Sequence, residues 1–285
     1  NEVMGMKGFL KEPGKAVPLC FAAVFLLTLF IYFFPYTGKV IFYPLYREYK
    51  KGNMLSDVSG FKLRETDNFL IYYKSTTPYY LDIIEKDAEK SLKNVQNDFK
   101  YTSAGKIIIV IYPKYSEMAS RIGLGTGSPA MGVYYEGAIS ILDPAMWMDK
   151  SRDAEYLFER QGPVLHELTH YIVDYMSCGN VPVWFTEGVA LYEEYRANNV
   201  EWANNKKYLS YYTIDELSKN FYGLDETKAY RQSFLILKYI GTNYGMDSVI
   251  NIIKKLGEGK SIDMSIREVI KLDIDGLFLK SLPQS

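Results

Sequence analysis

Histidine is scarce in this chain, with two residues among 285. Any chemistry that needs an imidazole, whether metal binding or proton transfer, therefore depends on these two side chains. Cysteine is equally rare, and Cys20 and Cys178 lie in segments of very different character. We therefore expect no disulfide between them, and so few cysteines say little about the redox compartment of the protein.

An excess of positive charge is also missing, since the formal net charge is -1 at neutral pH. A nucleic-acid partner is therefore not expected, because such binding depends on clustered lysine and arginine. The sequence has no internal repeat and no low-complexity tract. Its glycine-rich segment 123–129 is not followed by the Gly-Lys-Ser/Thr of a phosphate-binding loop, so we interpret it as a flexible rim.

One long apolar run is present near the start of the chain. Residues 16–38 carry no charge, and about 20 apolar residues are enough to cross a bilayer. A cleaved signal peptide is the alternative, but its apolar core is usually shorter and ends in small residues, whereas this run ends in aromatic residues and Pro35. We therefore predict a transmembrane anchor at 16–38, after a cytoplasmic lead at 1–15 and before a juxtamembrane stalk at 39–60.

The predicted anchor is single-pass and places the protein in a cell membrane. Lysines both precede and follow the span, so the distribution of positive charge does not decide its orientation. A single N-terminal anchor that carries a long domain most often leaves that domain outside. We therefore expect the domain to be extracytoplasmic.

The rest of the chain, residues 61–285, is predicted to form one α+β domain, with a strand-rich lobe at 61–145 and a helical lobe at 146–285. Short β-branched or aromatic runs predict strands, and apolar residues at helical spacing predict helices. The predicted strands lie at 68–74 and 106–112, and two more lie within 131–142 as a pair that turns at 136–137. The predicted helices lie at 80–99, 113–122, 152–160, 163–176 and 182–194, and further helices follow to the end of the chain.

Both histidines lie in the predicted helix 163–176, in the pattern His166-Glu167-Leu-Thr-His170. Residues four apart share one face of a helix, so the two imidazoles can point at one tetrahedral zinc ion. Glu167, beside the first histidine, can take a proton from the water that such an ion activates. The pentapeptide is short enough to arise by chance, with its histidines merely packed, but the lack of any other histidine favours the metal interpretation.

Two histidines leave a catalytic zinc ion one protein ligand short. The segment 182–194 reads Pro-Val-Trp-Phe-Thr-Glu-Gly-Val-Ala-Leu-Tyr-Glu-Glu and contains Glu187 among apolar neighbours. A buried carboxylate needs a positive partner, which a zinc ion would supply. The alternative is a solvated glutamate that the helix dipole favours in a first turn. We predict that Glu187 is the third ligand of one Zn²⁺ per chain.

The two motifs His-Glu-Leu-Thr-His and Trp-Phe-Thr-Glu-Gly-Val-Ala-Leu-Tyr together resemble the gluzincin metallopeptidases, especially the aminopeptidase-N-like and related membrane-associated branches. The resemblance implies a zincin-like metallopeptidase fold in which Glu187 binds zinc. The thermolysin pattern has an aspartate four residues after that glutamate, bonded to a zinc histidine, and this chain has Leu191 there. The supporting role therefore falls elsewhere, to Glu194 on the same helical face as Glu187, or else to Glu193 or Asp174.

A third segment resembles the Ser-Tyr-x-Lys-Gly motif of the aminopeptidases. Tyr230 precedes an apolar predicted helix and matches the family's tyrosine, which donates a hydrogen bond to the oxyanion. The chain departs from the motif in having Gln232-Ser233 in place of Lys-Gly. A structural role for Tyr230 is the alternative, since the chain has 26 tyrosines.

The segment 132–142 resembles the edge strand that lies over the gluzincin cleft and pairs with extended substrate. The resemblance implies substrate contacts from Gly132, Val133 and Tyr134. The aminopeptidase signature Gly-x-Met-Glu-Asn, whose glutamate binds a free amino terminus, is absent, and Glu136 does not match its spacing. This departure weakens an aminopeptidase assignment and leaves endopeptidase activity open.

We therefore predict a membrane-anchored zinc metallopeptidase that acts on peptides or proteins, with Glu167 and Tyr230 as its catalytic residues. One alternative is a membrane-tethered protein-binding module that keeps the zincin fold without the activity. Another is a zinc hydrolase that acts on a different amide or ester, such as a cell-wall peptide.

Overall fold

The computed structural model describes residues 13–123, 130–135, 137–206 and 208–282. The glycine-rich segment predicted as a rim, apart from Gly123, lies outside the described residues. So do Glu136 of the predicted turn and most of the predicted N-terminal lead. The described chain is mostly helical and contains one small mixed sheet, so the predicted α+β class is confirmed.

Two helices begin the described chain. Helix α1 spans Pro13–Phe33, helix α2 spans Pro35–Asp57, and they meet at a bend of 115°. The break falls at Phe34, with φ −129° and ψ 60°, because a proline disfavours helical dihedral angles in the residue before it. Most side chains of α1 are exposed and apolar, whereas α2 packs on the domain and buries Arg47.

The predicted transmembrane run at 16–38 is therefore divided between two helices. Within the described ranges, no single helix is long and apolar enough to cross a membrane, and one bent pair, Val17–Phe33 with Pro35–Asp57, meets the length and composition criteria together. The structure thus does not show the predicted anchor as a single helix, because hydropathy counts apolar residues and takes no account of a bend at proline. The residues predicted as a stalk, 39–60, lie mostly within α2.

A five-stranded mixed sheet forms one layer of the domain. Strand β1 (Lys62–Glu65) pairs antiparallel with β2 (Phe69–Tyr73), and β2 is parallel to β3 (Ile107–Tyr112). Strand β5 (Ala138–Leu142) is parallel to β3, and β4 (Gly132–Tyr135) pairs antiparallel with β5 at the edge of the sheet. The predicted strands are thus confirmed, and β1 is an addition to them.

The central strand β3 is buried along its whole length. Ile109 and its alternate neighbours face the main core, with helix α3 (Pro78–Phe99). Val110 and its alternate neighbours face a second, smaller core that includes residues of helix α4 (Tyr115–Ile122). Burial on both faces explains why the strand reads as an unbroken β-branched run rather than an alternating one.

The remaining helices form the second lobe. They include α5 (Ala154–Gln161), followed by α6 (Val164–Ser177) and α7 (Val183–Asn198), which pack on each other. The helices predicted in this part of the chain are present, with differences of a few residues at their ends. The helices after α7 are α8 (Ile214–Asn220), α9 (Glu226–Tyr244), α10 (Met246–Gly257), α11 (Ile262–Ile270) and α12 (Ile274–Ser281).

Candidate metal centre

Helix α6 carries both histidines on one face. It begins after Pro163 and ends at Ser177, because Cys178 adopts a left-handed conformation with φ 52°. The ring centroids of His166 and His170 lie 4.7 Å apart, as expected for side chains one helical turn apart. Both imidazoles are largely buried and face helix α7.

Glu187 on α7 meets both imidazoles. Its Oε2 atom lies 3.3 Å from His166 Nε2 and 3.4 Å from His170 Nε2. One ligand atom from each of the three residues lies within 4.8 Å of the other two, so the group can hold a metal ion. Two ligand atoms at about 2.0–2.1 Å from a tetrahedral zinc ion are themselves roughly 3.3 Å apart. The distances from Glu187 to the two histidines therefore match the spacing that such an ion requires.

The second nitrogen of each ring is held by a side chain of α7. Thr186 Oγ1 lies 2.8 Å from His170 Nδ1, and Glu194 Oε2 lies 3.4 Å from His166 Nδ1. If each Nδ1–H donates to its oxygen, each Nε2 keeps a lone pair for a metal ion. Glu194 thus lies where the sequence predicted a supporting residue. Thr186 was missed, although it directly precedes Glu187 in the second motif.

Carboxylates dominate the charge around the two rings. Burial opposes protonation of His166, but Glu194 and Glu187 outweigh it and raise the pKa of this imidazole well above its usual value. Burial also opposes ionisation of Glu187, yet His170 and His166 hold the pKa of its carboxyl well below its usual value. The charge around the site therefore favours a bound cation. Two imidazoles and one buried carboxylate are a set of ligands that suits zinc.

Glu167 lies beside the histidines and is held by strand β4. Its Oε2 atom accepts a hydrogen bond of 2.6 Å from the backbone N–H of Tyr134, and the residue is 5% exposed. The strand comes this close because Gly132 has no side chain: a Cβ there would lie 2.5 Å from Pro163 Cβ and 3.1 Å from Glu167 Cγ. Burial raises the pKa of Glu167 above its ordinary value. The carboxyl group is thus both enclosed and oriented.

The three strand residues predicted to contact substrate all lie in β4, in different surroundings. Gly132 faces α6, and Val133 packs against the smaller core. Tyr134 turns its side chain inward, where its hydroxyl donates a 2.7 Å hydrogen bond to Asp174 Oδ2. Among the described strands only β5 pairs with β4, so the outer edge of β4 has no neighbouring strand within the described residues.

Tyr230 lies near the start of α9, which packs closely on α7. The close approach depends on Gly188, where a Cβ would lie 2.5 Å from the backbone oxygen of Ser233. The Tyr230 ring lies 5.2 Å from that of Phe221, between centroids. Burial raises the pKa of the Tyr230 hydroxyl well above its usual value, and the Glu187 carboxylate is the next largest cause of this increase. The hydroxyl therefore stays protonated and able to donate a hydrogen bond.

Tyr222 is a residue that the sequence interpretation missed. It lies on a short 3₁₀ turn, Phe221–Gly223, and the residue as a whole is largely exposed. At its hydroxyl, desolvation and after it the carboxylates of Glu187 and Glu167 raise the pKa above the usual value. No pattern in the sequence distinguishes Tyr222 from the other tyrosines, because its proximity to the site arises from packing between distant segments.

The other two carboxylates considered for the supporting role have different partners. Asp174 Oδ2 pairs with Arg47 Nη1 at 2.8 Å. Glu193 pairs with Arg196 at 3.1 Å, and burial together with the neighbouring Asp98 raises the pKa of Glu193 to about 8. The geometry thus selects Glu194 from the three candidates.

A comparison with protein-family models supports this picture for the helical lobe. The model described as Peptidase MA superfamily matches residues 151–281. The matched region extends from just before α5 into α12 and includes both histidines, Glu167, Glu187 and Tyr230. The match supports a zincin-like metallopeptidase superfamily for this region, a group that is typically metal-dependent. No curated protein matches the chain.

Proposed function

We propose that this chain is a membrane-anchored zinc metallopeptidase of gluzincin type that hydrolyses peptide bonds in peptides or proteins. The observation that carries the proposal is the convergence of His166 Nε2, His170 Nε2 and Glu187 Oε2 beside the Glu167 carboxyl group. The superfamily match over residues 151–281 supports the same assignment.

The residues present fit the steps of peptide hydrolysis. A zinc ion on the three ligands would polarise the scissile carbonyl and lower the pKa of the attacking water. Glu167 is placed to accept the proton of that water and to pass it to the leaving amine. Tyr230, whose hydroxyl stays protonated, donates a hydrogen bond to the oxygen that becomes negative in the transition state.

Substrate binding is assigned to the outer edge of β4. An extended peptide that pairs with this edge becomes a further strand of the sheet, and backbone hydrogen bonds fix its direction. Gly132, Val133 and the carbonyl group of Tyr134 supply these backbone groups, since the Tyr134 N–H donates to Glu167. The interaction therefore depends little on substrate side chains. This mode favours cleavage within a chain over recognition of a free amino terminus.

The decisive experiment compares the full chain with its Glu167→Gln variant in detergent micelles. Zinc content is measured by mass spectrometry, and activity is measured on a library of internally quenched peptides. The variant should keep its zinc and lose about 10²- to 10⁴-fold in rate, because the proton acceptor is removed while the ligands stay. Glu258→Gln, on an exposed turn, is the matched control and should leave both unchanged.

Each contrary result has a distinct meaning. A Glu167→Gln variant with the wild-type rate contradicts the assigned proton acceptor. Wild-type protein that holds zinc but cleaves no peptide in the library favours the protein-binding module. Wild-type protein that folds without binding zinc contradicts the metal centre itself.

We further propose that α1 lies in a cell membrane and that the domain faces the extracytoplasmic side. The support is an exposed apolar surface on α1, where Phe21, Phe25 and Leu26 are 72%, 63% and 64% exposed. A surface of this kind needs a cover of lipid or protein. Protease added to intact cells should digest the domain. If digestion requires lysis of the cells, the proposed orientation is wrong.

A further inference from the structure

Helix α2 docks on the ends of α6 and α10 through two close glycine contacts. At Gly179, which follows α6, a Cβ would lie 2.3 Å from Tyr43 Cδ1. At Gly259, a Cβ would lie 3.0 Å from Thr37 Cα. Side chains at these positions would displace α2, so the helix is seated against the domain rather than held away from it.

Arg47 is the charged residue that α2 buries at this contact. It is 5% exposed, and its Nη1 atom lies 2.8 Å from Asp174 Oδ2. The centre of its guanidinium group lies 3.5 Å from the centroid of the Tyr175 ring. Both partners belong to α6. A buried charge persists only with such a partner, so the pair fixes the position of Asp174.

Asp174 in turn holds the side chain of Tyr134. The same Oδ2 atom that pairs with Arg47 accepts the Tyr134 hydroxyl hydrogen bond at 2.7 Å. The Tyr134 hydroxyl oxygen also accepts a 3.0 Å hydrogen bond from the backbone N–H of Gly137. The aromatic ring is therefore fixed at its outer end, between α6 and the start of β5.

The backbone of Tyr134 makes the last contact in the series, with Glu167. Its N–H donates the 2.6 Å hydrogen bond to Glu167 Oε2. The direction of this N–H depends on where the β4 backbone lies, and that position depends on the anchored Tyr134 ring. The contacts thus run without interruption from α2, outside the matched region 151–281, to the carboxyl group beside the candidate ligands.

We propose that Arg47 is a positioning residue for Glu167, acting through Asp174 and the Tyr134 side chain. In this arrangement α2 contributes no group to the chemistry. It nevertheless determines the direction of the Glu167 carboxyl group, which acts as the general base. The proposal rests on the proposed function for the role of Glu167, whereas the chain of contacts exists independently of that role.

The test uses the full chain in detergent micelles with three variants. Arg47→Met removes the charge that holds Asp174, and Tyr134→Phe removes only the hydroxyl link. Arg64→Met is the matched control, because Arg64 pairs with Asp82 and Glu85 at the opposite edge of the sheet. For each variant and for the wild type, we measure zinc content, kcat and KM on the best-cleaved quenched peptide, and hydrogen exchange of the Tyr134 amide.

Both test variants should keep about one zinc ion per chain, because all three ligands lie on α6 and α7. Their kcat should fall by about 10- to 100-fold, with a much smaller change in KM, because a displaced general base affects the chemical step. The Tyr134 amide should exchange faster in both variants than in the wild type. The control should match the wild type in every measurement.

The outcomes separate this proposal from the proposed function. A folded Arg47→Met variant with wild-type kcat and wild-type exchange at Tyr134 overturns the positioning role. If Arg47→Met does not fold, Tyr134→Phe decides by the same two criteria. If the wild type hydrolyses no peptide, the proposed function fails, and exchange at the Tyr134 amide still tests whether Arg47 fixes this strand.

Discussion

Helices α6 and α7 form one side of the candidate centre, and strand β4 with helix α2 forms the other. On the helical side, the ligands and their supporting residues come from two consecutive helices. On the strand side, the contacts join residues as distant in sequence as Arg47, Tyr134 and Asp174. The comparison separates the candidate metal ligands from the contacts that orient Glu167. Four predictions test this separation.

Removing a ligand should have the largest effect and should act on the helical side alone. His170→Ala or Glu187→Ala leaves two protein ligands, too few for a stable catalytic zinc site, so zinc should be lost from the purified chain. Arg47→Met, on the strand side, should keep its zinc. Metal analysis of the three proteins makes the comparison, and equal zinc in all of them would contradict a site built from α6 and α7.

Removing the proposed oxyanion donor should affect the rate without affecting the metal. Tyr230→Phe should lower kcat by about 100-fold with little change in KM, because the hydroxyl acts mainly as negative charge develops. Tyr222→Phe removes a hydroxyl whose pKa the same carboxylates help to raise, and it should have a smaller effect on kcat because the residue is largely exposed. Steady-state kinetics on one cleaved peptide distinguish them. Equal losses in the two variants would argue that Tyr230 has no special role.

Loss of a supporting contact should weaken the metal centre without abolishing it. Thr186→Val removes the oxygen that lies 2.8 Å from His170 Nδ1, and the affinity for zinc should fall by about 10- to 100-fold. Thr77→Val is the control, since Thr77 is exposed and its side chain makes no capping hydrogen bond. Competition with a chelator measures the zinc affinity of both variants. Unchanged affinity in Thr186→Val would show that the contact does not orient the ring.

A pair of glycine substitutions tests the packing that brings α9 to α7. Gly188→Ala places a methyl group against the backbone of α9 and should reduce the free energy of unfolding by about 1–3 kcal/mol. Gly52→Ala, at an exposed helical position with no neighbour within 4 Å, should increase it by roughly 0.5–1 kcal/mol. Denaturant unfolding of the full chain measures both. The same sign for the two changes would contradict close contact at Gly188.

The helical side was accessible from the sequence because its geometry is periodic and local. The spacing of His166 and His170 places them on one face of any α-helix. The apolar neighbours of Glu187 indicated a buried carboxylate in need of a positive partner. The position of Glu194 on the same helical face, seven residues after Glu187, also follows from helical periodicity. Thr186 escaped notice because its contact depends on the angle at which α6 and α7 pack.

The strand side could not be obtained in this way. Arg47 looked like one of several basic residues in a predicted stalk, and Asp174 looked like a possible partner of a histidine. Their pairing requires α2 to pack on the domain, which depends on the absence of side chains at Gly179 and Gly259. Hydropathy and motif spacing carry no information about such contacts.

The sequence by itself determined the residue types at the candidate centre, the helices that carry them and most of the strands, because each follows from local spacing and propensity. The tertiary structure alone decided that Tyr134 directs its amide at Glu167, that Tyr222 lies near the carboxylates, and that α2 is seated on α6. These relations join segments far apart in the chain. They depend on packing distances of a few ångströms, which only the folded arrangement of the elements can set.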